Sequence, residues 1–139
     1  MYNSGKMTNK EIAKTWFASI DNNDYATIKG LMHSDHKFIN PMSPAPAGQD
    51  EHIGMMQMMS GAFTGEHKLD LVLEEGNYVV VRARYVSTHT GEFNGMGPTG
   101  KPVELSFIDI FEIVDGKVRN EILEMNLMTL LVQIGAMPA

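Results

Sequence analysis

Apolar residues recur at helical spacing through the first part of the chain and at alternate positions through the second, so the sequence divides into two halves. In the first half, Ile12, Ala13, Trp16, Phe17 and Ile20 fall on one helical face. Just before them, Thr8-Asn9-Lys10-Glu11 has the form of a capping box, in which the hydroxyl and the carboxylate serve the free amides of a helix start. Asn22-Asn23-Asp24 breaks this helix, and Tyr25, Ile28, Leu31 and Met32 give the apolar face of a short second one. His33-Ser34-Asp35-His36 reads as a solvated turn and Lys37 to Asn40 as a short strand. Pro41, Pro44 and Pro46 then enforce a loop, since each fixes its own φ and biases its predecessor toward extended structure. Asp50 can cap a third helix from about Glu51 to Phe63, and Thr64-Gly65 can end it.

After Gly65 the period becomes two. Leu69, Leu71 and Leu73 alternate with polar neighbours, which predicts a strand with one face buried, and Glu75-Gly76-Asn77 is turn chemistry. Tyr78 to Thr88, Val103 to Val114 and Lys117 to Asn126 read as three long antiparallel strands, the last two joined by an Asp115-Gly116 hairpin turn. Leu130, Leu131 and Ile134 before Gly135 suggest a short closing helix. Helices first and a meander of strands afterwards predict an α+β fold: a cone-shaped, curved antiparallel sheet packed against the N-terminal helices and able to enclose a cavity.

The chain has 139 residues, enough for one domain, expected over 8–139 behind a disordered tail at 1–7. A net charge of −6 argues against nucleic acid and anionic membrane surfaces as partners. The absence of cysteine excludes disulfides, thiolate nucleophiles and cysteine-ligated metal. No stretch approaches eighteen apolar residues, and a cytoplasmic location is the expectation.

Two motifs point to less than their letters suggest. Gly95-Met96-Gly97-Pro98-Thr99-Gly100 matches the dinucleotide fingerprint, but prolines and a strand follow it where a helix is needed, so it is expected to be a loop at the pocket rim. His33 and His36 lack further ligands with metal-site spacing, and neither metal nor cofactor is expected. Met55, Met56, Met58 and Met59 occupy too many positions for one helix face, so at least one should look away from the core; together they suit either packing or a pliable pocket wall. Trp16 is either core or a stacking plate for a ligand.

The strands hold the chemistry. Strand parity places Asp109 in a row with Leu105, Phe107, Phe111 and Ile113, where a carboxylate must be paired, hydrogen-bonded or neutralised. On the last strand Val118, Asn120, Ile122, Glu124 and Asn126 share a face by the same parity. Pairing across Asp115-Gly116 brings Asp109 near Glu124, and two close carboxyls separate in pKa. The alternative is a structural ion pair of Asp109 with Arg82 or Arg84.

The run from Thr88-His89-Thr90-Gly91-Glu92-Phe93 to Pro98-Thr99-Gly100, with Asp109-Ile110-Phe111-Glu112-Ile113 and Asp115-Gly116-Lys117-Val118, resembles the SnoaL-like polyketide cyclases and ester cyclases of the nuclear-transport-factor-2-like superfamily. The resemblance runs from Met7 to Ala136. It implies a cone around a deep apolar pocket, assembly as a homodimer, and cofactor-free acid/base cyclisation or isomerisation of a polyketide-like carbonyl compound. Relatives carry Glu-His-Trp with an aspartate four residues on, where this chain has Asn120-Glu121-Ile122 and Asn126. Asparagine takes no proton near neutral pH, which leaves two main readings. Either Asp109 or Glu124 serves as acid and base in place of Asn126, or the protein is a non-catalytic binder of small apolar molecules. The expected pocket residues are Trp16, Phe17, Asn40, Met55, Met59, Phe107 and Met125. Homodimerisation also fits Val80, Val86 and Ile108 on the faces turned away from the core.

Overall fold

The computed structural model describes residues 6–139, so most of the expected tail, residues 1–5, lies outside the described residues. The elements run α1 (Asn9–Asp21), α2 (Tyr25–Leu31), β1 (Met32–Ile39), α3 (Gln49–Ala62), β2 (Phe63–Glu75), β3 (Tyr78–His89), β4 (Pro102–Val114), β5 (Lys117–Met125) and α4 (Leu127–Ile134). The α+β prediction is met: the five strands form one curved sheet in the order β1-β5-β4-β3-β2, with β1 parallel to β5 and the other neighbours antiparallel.

Local signals explain most of the boundaries. Glu11 N donates to the Thr8 hydroxyl while Thr8 N donates to Glu11, closing the capping box of α1. Asp24 caps α2 through Thr27 N. Asp115 and Gly116 both take positive φ, 52° and 73°, as a two-residue turn matched to the sheet's twist requires. Asn94 and Gly95 do the same at 50° and 80° between the bridged Phe93 and Met96, so the glycine-rich motif is a small turn in the β3–β4 connection and leads to no helix.

Three expectations need correction. His33-Ser34-Asp35-His36 is part of β1, where it spans a register irregularity between Met32 and Lys37, which pair with Val118 and Asn120 of β5; a short polar run cannot advertise that pairing. The N-cap of α3 is Gly48, which makes no side-chain cap bond; Asp50 lies in the first turn instead. In β2, a bulge between Leu69 and Leu71 reverses the alternation. Leu69 and Val72 pack on the core, whereas Leu71 and Leu73 are 48% and 53% exposed.

The core lies between the concave sheet face and α1 to α3, centred on Trp16, Phe17, Ile28, Val81 and Phe111. A second cluster under α4 contains Phe63, Phe93, Leu105, Leu130 and Ile134. At the join of α3 and β2, β3 passes so close to Gly65 that a Cβ there would meet the backbone of Val86 and Ser87. Gly65→Ala is therefore expected to destabilise the fold by about 1–3 kcal/mol, since backbone on both sides cannot yield. Urea denaturation at neutral pH checks this; a loss below about 0.5 kcal/mol would contradict so close an approach.

Candidate active site

Along β4 the inward row is Val103, Leu105, Phe107, Asp109, Phe111 and Ile113, all buried. Asp109 is 1% exposed and so depends on what faces it. The neighbouring strand supplies a second acid. A register shift between Glu112 and Ile113 in the β4–β5 ladder turns Glu121 inward, where it is 4% exposed. Asp109 pairs with Leu123 and Phe111 with Glu121, which makes the two acids diagonal neighbours on one face, roughly 7–8 Å apart at Cα. Their side chains close that gap.

Among the described residues no cation neutralises them. Arg84 is on the opposite face, where it donates to Asp70 at 2.9 and 3.0 Å and to Glu104 at 3.1 Å. Arg82 also points outward and is exposed, so the ion-pair alternative for Asp109 is not realised among the described residues. Asp109 Oδ1 and Glu121 Oε1 are buried without a hydrogen-bond partner. Burial, reinforced by the Glu121 charge, raises the Asp109 pKa well above its ordinary value. Burial likewise pushes Glu121 up to about 7, against the opposing pull of Asp109 and the Trp16 indole. At neutral pH the pair therefore holds a proton that it can give up, as two carboxyls in one dry site must.

A histidine chain backs this pair. His36 Nδ1 lies 2.8 Å from the Val118 carbonyl, and His36 Nε2 lies 2.8 Å from His52 Nδ1. A carbonyl only accepts, so His36 donates through Nδ1 and accepts through Nε2, and His52 donates through Nδ1. His52 Nε2 is left as a lone pair, 3.7 Å from Glu121 Oε1, and so favours the protonated acid. Desolvation, then the neighbouring His36, lowers the His52 pKa to about 2, and His36 is lowered chiefly by burial. Both rings remain neutral at physiological pH.

A stability prediction follows from the sign of these shifts. Below the ordinary histidine pKa of 6.5 the unfolded chain binds a proton that buried His52 refuses, so His52 withdraws stability as pH falls. His52→Gln is expected to flatten the pH dependence between 6 and 4 by about 1 kcal/mol per pH unit relative to the native chain. Urea denaturation of both proteins at several pH values reads this, and parallel curves would refute it.

These groups end in a cavity of about 260 Å³, just below the usual range of small-molecule sites. Its apolar wall includes Phe17, Met55, Met56, Met59, Phe107, Leu123 and Met125, and its polar points include Asp21, His52, His67, Asp109 and Glu121. Of the residues expected from the sequence, Phe17, Met55, Met59, Phe107, Met125 and Asp109 line it. Met58 faces outward at 46% exposure. Trp16 lies behind the wall with no exposure, its ring 5.8 Å from both His36 and His52. Asn40 is buried and not part of the lining; its Oδ1 accepts from Met42 N.

Glu124 and Asn126 lie elsewhere. Glu124 is exposed beside Ile108 on the outer side, and Asn126 caps α4 by accepting from Thr129 N. The partner of Asp109 is thus Glu121, because the bulge shifts inward parity from Glu124 to Glu121. Sequence reasoning also passed over Asp21, His52 and His67. The unusual signal was available in the apolar setting of Glu121 between Val118 and Leu123, but two-residue parity assigned it outward. Among the described residues no three His, Asp or Glu side chains converge as metal ligands would.

The fold is shared with proteins of several assigned chemistries. AclR, a candidate hydroxylase from Streptomyces galilaeus, is 24% identical with a TM-score of 0.85, over 94% of this chain and 83% of that one. IdmH, a candidate polyketide cyclase from Streptomyces antibioticus, is 21% identical with a TM-score of 0.83, over 93% and 99%. A candidate SnoaL-like polyketide cyclase from Jannaschia sp. CCS1 is 23% identical with a TM-score of 0.84, over 99% of both chains. At these identities the likeness speaks to the fold. No curated protein sequence matches the chain. The model of the SnoaL-like polyketide cyclases matches residues 10–134, nearly the whole of the described chain, and the protein belongs to that family.

Proposed function

We propose that the protein catalyses cofactor-free acid/base chemistry, cyclisation or isomerisation, on a small apolar carbonyl compound, with the Asp109–Glu121 pair as the proton-transferring centre. The single observation behind this reading is two buried carboxyls, facing one apolar cavity, with no cation among the described residues to neutralise them. Such a pair costs stability, and a buried acid unneeded by packing is a marker of function. In its singly protonated form it offers a carboxylate to take the proton next to a carbonyl and a carboxylic acid to return one. That is general acid/base catalysis tuned to neutral pH. The family model supports the reaction class, and the cavity's apolar wall supports the substrate class.

The test is solvent deuterium exchange next to the carbonyl of a small aromatic ketone held in the cavity. Exchange should rise with pH, reach half its maximum near 7, where Glu121 gives up its proton, and then level off. A rate that tracks hydroxide concentration without a plateau would overturn the reading.

We also propose that the outward sheet face pairs two copies of the chain. Leu71, Leu73, Tyr78 and Ile108 are each between 44% and 53% exposed on it, more apolar surface than solvent contact favours. Light scattering at micromolar concentration should give twice the 15.4 kDa chain mass, and a monomeric mass would remove this proposal.

A further inference from the structure

The cavity has a second polar station at its other end. Asp21, the last residue of α1, accepts from the backbone N–H of His67 at 2.9 Å through Oδ2 and faces His67 Nδ1 at 2.5 Å through Oδ1. A carboxylate has no proton to give, so Nδ1 carries the hydrogen and Nε2 is the nitrogen left free. Among the described residues Nε2 has no hydrogen-bond partner, it is not fully buried, and His67 lines the cavity. The ring is held on its faces and edges as well. Its centroid lies 5.1 Å from Phe17, 4.6 Å from Tyr85 and 5.8 Å from Phe107. An anion at the end of α1 opposes the helix dipole, so helix stability does not account for Asp21.

Depth separates this station from the acid pair. The His67 and Asp21 side chains are 14% and 21% exposed, whereas the Asp109 and Glu121 residues are 1% and 4% exposed. His67 on β2 is level, through Tyr85 on β3, with Leu105 on β4, so Asp109 lies roughly 10 Å across the sheet and, four residues further along β4, roughly 13 Å along it. Both stations line the same cavity, and the flat rings of Phe17 and Phe107 form part of its wall.

We propose that His67, oriented by Asp21, binds an oxygen atom of the ligand at the solvent end of the cavity while a carbonyl of the same ligand sits at Asp109 and Glu121. The ligand class is thereby narrowed to flat apolar compounds of about two fused rings that carry two oxygen functions, one toward each end. This rests on the proposed function for the identity of the buried station. His67 is a positioning residue here: it fixes which carbon is presented to the acid pair and transfers no proton to it.

Two probes separate the stations: acetonaphthone, with one ketone, and its analogue bearing a hydroxyl on the distal ring. The native protein should bind the hydroxylated ketone about 5- to 10-fold more tightly, the gain expected of one added hydrogen bond. His67→Phe, which keeps the aromatic packing, should bring the two affinities within twofold. In nitrogen-15 NMR of the native protein, His67 Nε2 should shift with the hydroxylated probe and not with the plain ketone. Equal affinities in the native protein, discrimination retained in His67→Phe, or an unmoved Nε2 would overturn the proposal. If His67→Phe fails to fold, the native affinities and the Nε2 signal decide. Deuterium exchange of the plain ketone reads the acid pair independently, so its failure would refute the proposed function without bearing on His67.

Discussion

Asp109→Asn is expected to lower the rate of deuterium exchange next to the carbonyl of a bound ketone by about 10²–10⁴, the range that a positioned acid or base contributes. The substitution keeps the shape of a side chain that is 1% exposed and removes one of the two proton-binding groups over which the pair operates. Glu121→Gln should cost a similar factor, because each variant leaves a lone acid that has lost its counterpart. The double variant should then be little worse than either single one, as groups that act as a unit are strongly non-additive. Circular dichroism and probe binding would confirm that the cavity survives. A single variant that exchanges within threefold of the native rate would remove the pair from catalysis.

The same two residues should be a burden on the fold. Glu121 titrates near 4.5 when unfolded and near 7 when folded, so the folded chain holds the extra proton between those values. Where the native state binds more protons, stability falls as pH rises. The stability present below about pH 4.5 is therefore lost on the way to pH 7, by an amount on the order of 3 kcal/mol for Glu121. Asp109 shifts in the same direction. Neutral His52 slopes the opposite way below 6.5, so the native curve alone shows only the difference of the two effects. Subtracting the curve of Asp109→Asn/Glu121→Gln isolates the acids. At pH 8 the double variant should exceed the native chain by about 3 kcal/mol or more, and the advantage should shrink steadily toward pH 4.5. Equal stability at pH 8 would mean that water or an unseen partner already solvates the pair.

Where the chain obeys one period throughout an element, the sequence was enough. The helical face of Ile12, Ala13, Trp16 and Phe17, the inward row of β4 with Asp109, and the Asp115-Gly116 turn are all where pattern reasoning puts them. Bulges defeated it twice. One shift in β2 moved Leu71 and Leu73 outward, and one in the β4–β5 ladder exchanged Glu124 for Glu121 at the site. A single extra residue flips every later side chain, and nothing in residue type announces it.

Tertiary contacts hid the rest. His36 reads as a polar turn residue until β5 and α3 bring Val118 and His52 to its two nitrogens. Asp21 and His67 lie 46 positions apart and meet only because α1 ends beside β2. Asn126 shows the reverse error. It stands where the resembled family carries an aspartate, which suggests a missing acid, while its side chain caps α4 on the outside of the cavity wall. The acid that faces the cavity from β5 is five residues earlier, at Glu121.

Carbon-13 NMR titration of the Asp109 and Glu121 carboxyl carbons tests the central claim most directly, because it follows the shared proton itself and needs no substrate. The account predicts two coupled steps, with Glu121 ionising near 7 and Asp109 retaining its proton well above the ordinary aspartate range. Two independent titrations below pH 5 would show a pair of ionised carboxylates at neutral pH and contradict it.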